Sequence, residues 1–94
     1  PAAFDTESFL DGKAMLLGIK IAEDCPVINT PLRQLTDLFS TLRAIVVGLR
    51  REGRLFAPSA ADQIFAGDDC YVLSDTADMA RTLEIFGKPV PKQN

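Results

Sequence analysis

Ninety-four residues, 47% hydrophobic and 24% charged, with a formal charge of −3 and no histidine, describe one folded domain. The chain is too apolar to stay disordered, and its acidic balance argues against a surface built to neutralise phosphates, so no nucleic-acid partner is expected. A chain this short buries only about 60–65% of the surface its unfolded form exposes, so self-association into a homodimer is expected as a way to bury more.

The chain opens on Pro1 without Met, and it reads as a piece cut from a longer protein. Ser8-Phe9-Leu10, then Asp11-Gly12, then Lys13 onward predicts a β-hairpin with a type I′ turn, because Gly tolerates the positive φ that turn needs. In the second arm Met15, Leu17, Ile19 and Ile21 alternate with Leu16, Gly18, Lys20 and Ala22, the pattern of a half-buried strand. Glu23-Asp24-Cys25-Pro26 breaks it. Thr30 is placed to N-cap a short helix with Pro31 in its first turn, and Leu32, Leu35, Leu38 and Phe39 follow at helical spacing.

Ala44 to Arg51 is the strongest strand, with Ile45, Val46, Val47 and Leu49 apolar on both faces, which predicts a central place in the sheet. Arg51-Glu52-Gly53-Arg54 turns the chain into a short strand, Leu55 to Ala57, that Pro58 ends. Ala66-Gly67-Asp68-Asp69 is a further turn, and Cys70-Tyr71-Val72-Leu73 a last strand. Asp75 or Thr76 caps a final helix in which Met79, Ala80, Leu83 and Phe86 face inward, with Gly87 at the left-handed C-terminal position. Lys88 to Asn94 is polar and proline-bearing, a linker. The order β-β-α-β-β-β-α predicts an α+β domain over residues 1–87, in two layers: a mixed or antiparallel sheet of about five strands, with both helices in one layer.

The residues that chemistry needs do not gather. Histidine, the commonest acid–base residue, is absent; Cys25 and Cys70 stand far apart with no CxxC and no partner histidine; and no nucleophile elbow, P-loop or GxGxxG occurs. Asp68-Asp69 follows Gly67 in a turn and is explained by turn chemistry, and Cys70 reads as a small core residue. The domain is therefore expected to be no enzyme, with no metal and no cofactor of its own. Two isolated thiols favour a reducing compartment, and no run approaches the ~18 apolar residues a membrane span requires. Two surfaces exceed what a bare sheet needs: the stretch from Asp37 to Ile45 with Arg43 at its junction, and the turn Arg50-Arg51-Glu52-Gly53-Arg54 leading to Pro58. Arg50, Arg51 and Arg54 are either solvated turn residues or contacts for an anion or a partner.

Thr30-Pro-Leu-Arg-Gln-Leu, Ile45-Val-Val-Gly-Leu-Arg-Arg-Glu-Gly, Phe56-Ala-Pro-Ser and Ala66-Gly-Asp-Asp-Cys-Tyr-Val-Leu-Ser-Asp, in that order, resemble the TrkA C-terminal domain family, also called RCK-C. The resemblance covers Lys13 to Gly87. Pro1 to Phe9 and Leu83-Glu-Ile-Phe-Gly-Lys resemble the entry and exit of the first of two such domains in the family's duplicated subunits of bacterial potassium uptake. The resemblance implies a regulatory domain of a peripheral cytoplasmic subunit, which dimerises and relays ligand-induced change to a TrkH-type membrane channel. Adjacent Rossmann domains would bind NAD(H) or ATP/ADP, and residues 88–94 would lead into one of them. In relatives that hold cyclic di-AMP between two copies, the matching positions here are Asp37, Leu38, Arg43, Ile45 and Pro58. Ile45 stands where an Asn is expected, and Leu42 and Arg43 fill the preceding loop differently, so the resemblance implies a ligand or dimer groove and not a particular ligand. An alternative parent is a multi-pass anion transporter or antiporter carrying the domain as a cytoplasmic insert. Flanking GxGxxG motifs would mark the first parent and apolar spans of about 20 residues the second.

Overall fold

Two strands, β1 (Ala3–Phe9) and β2 (Ala14–Lys20), form the expected hairpin, pairing Phe9 with Ala14 and Thr6 with Leu17. The computed structural model describes residues 3–38 and 43–86 of the chain. The turn differs from a two-residue type I′ link: Leu10, Asp11 and Gly12 all have positive φ, at 54°, 55° and 85°. Lys13 N–H closes it on the Leu10 carbonyl, and Thr76 holds it from outside, its N–H on the Lys13 carbonyl and its hydroxyl on that of Gly12.

The remaining elements are α1 (Leu32–Leu38), β3 (Ala44–Arg51), β4 (Arg54–Phe56), β5 (Asp69–Asp75) and α2 (Met79–Phe86), the last entered through a tight turn at Thr76–Asp78. The expected order is observed, and every pairing in the sheet β1-β2-β5-β3-β4 is antiparallel. The centre is therefore β5, not β3, because β2 and β3 both pair with it. β3 is also not buried on both faces: Ile45 is 63% and Val47 44% exposed. Val46 pairs with Val72 and Gly48 with Tyr71, so Val47 is the extra residue of a bulge. The β3–β4 link is a two-residue turn with positive φ at Glu52 and Gly53, as a type I′ turn requires.

The core fills one side of the sheet. Leu17 and Ile19 of β2, Cys70 and Val72 of β5 and Leu49 of β3 meet Ile21, Cys25, Val27, Ile64, Leu35 of α1 and Phe86 of α2. Both helices thus lie in one layer, as expected for this class.

The helix ends depart from the sequence reading. Thr30 does not cap α1, because its hydroxyl donates to the Ile28 carbonyl. The first helical N–H groups, of Leu32 and Arg33, instead donate to the carbonyls of Asp62 and Ala60, which satisfies the donors a cap would have served. Neither Asp75 nor Thr76 caps α2 with its side chain; the Thr76 hydroxyl is engaged at Gly12. On α2 the buried stripe runs Met79, Thr82, Leu83 and Phe86, whereas Ala80 is exposed. A threonine occupies the stripe because its hydroxyl finds partners: Ser74 Oγ at 3.1 Å and the Asp78 carbonyl at 2.9 Å. Gly87 and the expected linker at 88–94 lie outside the described residues.

Candidate functional site

A groove opens where α1, the start of β3 and the Pro58–Ala60 segment converge. Its volume is about 290 Å³, and Leu32, Arg33, Ile45, Pro58 and Phe86 are among its walls. The chain folds this way locally because the Pro58–Asp62 segment makes a tight turn. Ser59 N–H donates to Asp62 Oδ2 at 2.7 Å, and Asp62 N–H returns to the Ser59 carbonyl at 3.1 Å. The carbonyls this turn presents then receive the first N–H groups of α1, which docks the helix along it.

Of the positions expected in a groove, Ile45 and Pro58 come together in its wall. Arg43 does not line it; its guanidinium lies 3.7 Å from Asp75 and is 77% exposed, a solvent-screened pair at the end of the sheet. Asp37 and Leu38 close α1, but their side chains, with all of residues 39–42, fall outside the described residues. Arg33, Ser59 and Ala60 line the groove and were missed by sequence reasoning. Arg33 could have been found from its place one residue after Leu32 on an amphipathic helix, whereas Ser59 and Ala60 carry no signal beyond following Pro58.

The arginine turn splits into two kinds of residue. Arg50 and Arg54 are exposed and make no ion pair among the described residues. Arg51 is a structural residue and not a free anion contact. Its Nε and a terminal nitrogen donate to the two carboxylate oxygens of Asp68 at 2.9 and 2.8 Å, and that same nitrogen donates to the Gln63 carbonyl at 3.0 Å. The guanidinium also lies over the rings of Phe65 and Phe56, 4.6 and 5.3 Å from their centroids. Asp68 is 2% exposed. Burial pushes its carboxyl up, but the Arg51 hydrogen bonds, the Phe65 N–H and the Arg51 charge outweigh burial and hold it below its ordinary value.

Both thiols are buried. Burial pushes Cys70 up to about 12 and raises Cys25 as well, and Cys25 Sγ donates to the Phe86 carbonyl at 2.9 Å. Among the described residues no three His, Cys, Asp or Glu side chains converge as metal ligands, and no helix is long and apolar enough to cross a membrane.

A family model for the TrkA-C domain matches residues 16–87. Over 87 residues the chain is 45% identical to a Trk system potassium uptake protein TrkA of Azorhizobium caulinodans, covering 93% of this chain and 19% of that protein. It is 24% identical over 93 residues to a Trk system potassium uptake protein TrkA homolog of Archaeoglobus fulgidus, covering 99% of this chain and 21% of that protein. The chain therefore spans about a fifth of the length of these curated relatives. Among solved structures the GsuK RCK domain shares the fold, with a TM-score of 0.69 at 12% identity over 97% of this chain and 20% of that one.

Proposed function

The chain belongs to the TrkA-C domain family, and from that premise we propose that it is the regulatory domain of a peripheral, cytoplasmic potassium-uptake subunit, pairing with a second copy and relaying ligand-induced change to a TrkH-type membrane channel. The observation that carries this reading is the family match over residues 16–87, joined by 45% identity across 93% of the chain to a protein named for potassium uptake.

The work assigned to the domain is recognition and relay, not turnover. Gating by a ligand requires different affinities for two states, and a domain that pairs can supply two arrangements of its partners. The groove beside Ile45 and Pro58 is where a regulatory ligand binds. Its volume of about 290 Å³ falls just short of small-molecule sites, which start near 300 Å³, so a larger ligand would be shared between two copies. Binding of NAD(H) or ATP/ADP belongs to Rossmann domains flanking this one in the parent subunit.

The test is made in cells whose only copy of the parent subunit carries Ala60→Trp. That substitution fills the groove from its exposed rim and keeps the backbone carbonyl that Arg33 needs. The expected result is potassium uptake with an altered dependence on external potassium and a normal level of folded protein. Uptake indistinguishable from wild type in both this strain and one lacking residues 16–87 overturns the reading.

A further inference from the structure

The helices cover one face of the sheet, and a second cavity opens on the other. Its volume is about 500 Å³, and Leu16 of β2, Tyr71 of β5, Val47 and Gly48 of β3 and Leu55 and Phe56 of β4 are among its walls. Small-molecule sites run from about 300 to 1,000 Å³, so this cavity is within their range. It shares no lining residue with the groove beside Pro58. Local features of three strands build it. Tyr71 stands in register with Gly18 on one side and Gly48 on the other, so the base of its ring is flanked by two positions without side chains. A Cβ at Gly48 would lie 3.6 Å from a Leu55 methyl carbon and 3.8 Å from Tyr71 Cβ, so any side chain longer than a methyl there takes up the space. The bulge leaves Val47 44% exposed, and Leu55 is 60% exposed.

The charges around the cavity are unevenly placed. On the β1 side the exposed Glu7 stands in register with Leu16, and Asp5 in register with Gly18. On the β3 side Arg50 follows Gly48 by two positions and so faces the same way. Its register partners are Leu55 on β4 and Asp69 on β5. Directly paired residues hold their Cβ atoms about 5 Å apart, which brings the Arg50 side chain to the rim that Leu55 forms. Asp69 is answered by Lys20 at 2.7 Å. Arg50 is exposed and has no ion pair among the described residues.

We propose that this cavity binds a small amphipathic anion, its apolar body against Leu16, Val47, Leu55 and the Tyr71 ring and its carboxylate at Arg50. Apolar walls reward a body that leaves water. One unpaired cation at the rim suits one carboxylate, because a guanidinium binds it through two parallel hydrogen bonds. The acidic β1 side repels the same head group, so the molecule has one orientation. A nucleotide, with several phosphate charges and a polar base, meets too few donors among these walls. The inference goes beyond the potassium-uptake reading and does not depend on it.

The test is titration of the 94-residue chain with octanoate, octanol and octylamine, which share a body and differ in the head. Each is kept below the concentration at which it aggregates, and binding is followed by calorimetry and amide NMR. Octanoate should bind about fivefold more tightly than octanol and more tightly still than octylamine, shifting the amides of residues 16, 47, 48, 55 and 71. Arg50→Gln should weaken octanoate about fivefold and leave octanol within about twofold. Gly48→Val should weaken all three about tenfold by filling the cavity. Leu55→Glu, at an exposed position, should weaken octanoate as much should Gly48→Val fail to fold by circular dichroism. The groove variant Ala60→Trp should leave octanoate within about twofold of wild type. Octylamine binding most tightly, or octanoate unaffected by Arg50→Gln, overturns the anion assignment. No binding of octanoate, or binding lost in Ala60→Trp and kept in Leu55→Glu, overturns the site. Either failure leaves the uptake reading to its own test in cells.

Discussion

Arg51 and Asp68, seventeen positions apart, meet in a two-point pair in which Nε donates to Oδ1 at 2.9 Å and a terminal nitrogen to Oδ2 at 2.8 Å. The pair ties the end of β3 to the turn that feeds β5. Its outer hydrogen bonds reach the Gln63 carbonyl on one side and the Phe65 N–H on the other. A single carboxylate therefore fixes the path of the loop that also docks α1.

Asp68→Asn should destabilise the chain by about 3 kcal/mol, the low end for breaking a buried pair, because the guanidinium left behind is about a third exposed. Arg51→Lys should lose much of the same stability, since an ammonium cannot reproduce the two-point fork or lie flat on Phe65 and Phe56. The carboxyl of Asp68 is held below the ordinary 3.8, so the unfolded chain binds the proton more readily than the folded one. The contribution is then complete above that value and is lost as pH falls through the lower folded value. Urea unfolding measured from about pH 6 downward should show wild type converging on Asp68→Asn in acid. Parallel curves at all pH values would contradict the assignment.

The buried hydroxyls of Ser74 and Thr82 touch at 3.1 Å, joining β5 to α2. Thr82→Val keeps the shape and removes the hydroxyl, and should cost about 1 kcal/mol. Without Thr82 to accept it, the single Ser74 hydroxyl proton turns to the Asp75 carbonyl, 3.0 Å away, so Ser74 is not orphaned by the change. Combining Thr82→Val with Ser74→Ala should cost less than the sum of the single substitutions, because no half-satisfied partner remains. Denaturant midpoints of the four proteins measure this directly, and strict additivity would show that the two hydroxyls act independently.

Cys70, pushed up to about 12 by burial, and Cys25, raised by burial as well, should resist thiol reagents at about pH 8 until the chain is unfolded. Their folded values lie above the ordinary 9.0, so the stability they contribute is complete below 9.0 and is lost as pH rises through the raised values, about 12 for Cys70. Counting free thiols with and without urea is the measurement. Rapid labelling of either cysteine in the native chain would mean that the core opens far more often than its packing implies.

The order of elements was legible in the sequence because short-range signals dominate there. Asp11-Gly12 and Glu52-Gly53 announce hairpins through the backbone freedom of glycine, and Leu32 and Leu35 mark the buried side of α1. What failed depends on contacts distant in sequence. β3 was expected at the centre because hydrophobicity on both faces cannot distinguish burial under helices from an uncovered surface, and the bulge at Val47 shifts the alternation partway along. Thr82 was passed over because only the nearness of Ser74 makes a buried hydroxyl acceptable there. In the candidate site, Pro58 and Ile45 were found through family pattern. The pairing of Arg51 with Asp68 was not, since neither residue's neighbours hint at the other.

The four backbone links from residues 29–33 to residues 60–64 have a mechanical consequence for the groove. Asn29 N–H donates to the Ile64 carbonyl, Pro31 bridges Gln63, and Leu32 and Arg33 donate to Asp62 and Ala60. Two of the groove's walls, α1 and the Pro58–Ala60 segment, are thereby stitched into a single plate, while the third wall, β3, belongs to the sheet. A guest that widens the groove must tilt the whole plate against the sheet, because the two stitched walls cannot part without breaking their rungs. Ile64 and Phe65 lead straight to the Asp68 clasp, so the plate is anchored beyond the groove by the Arg51–Asp68 pair.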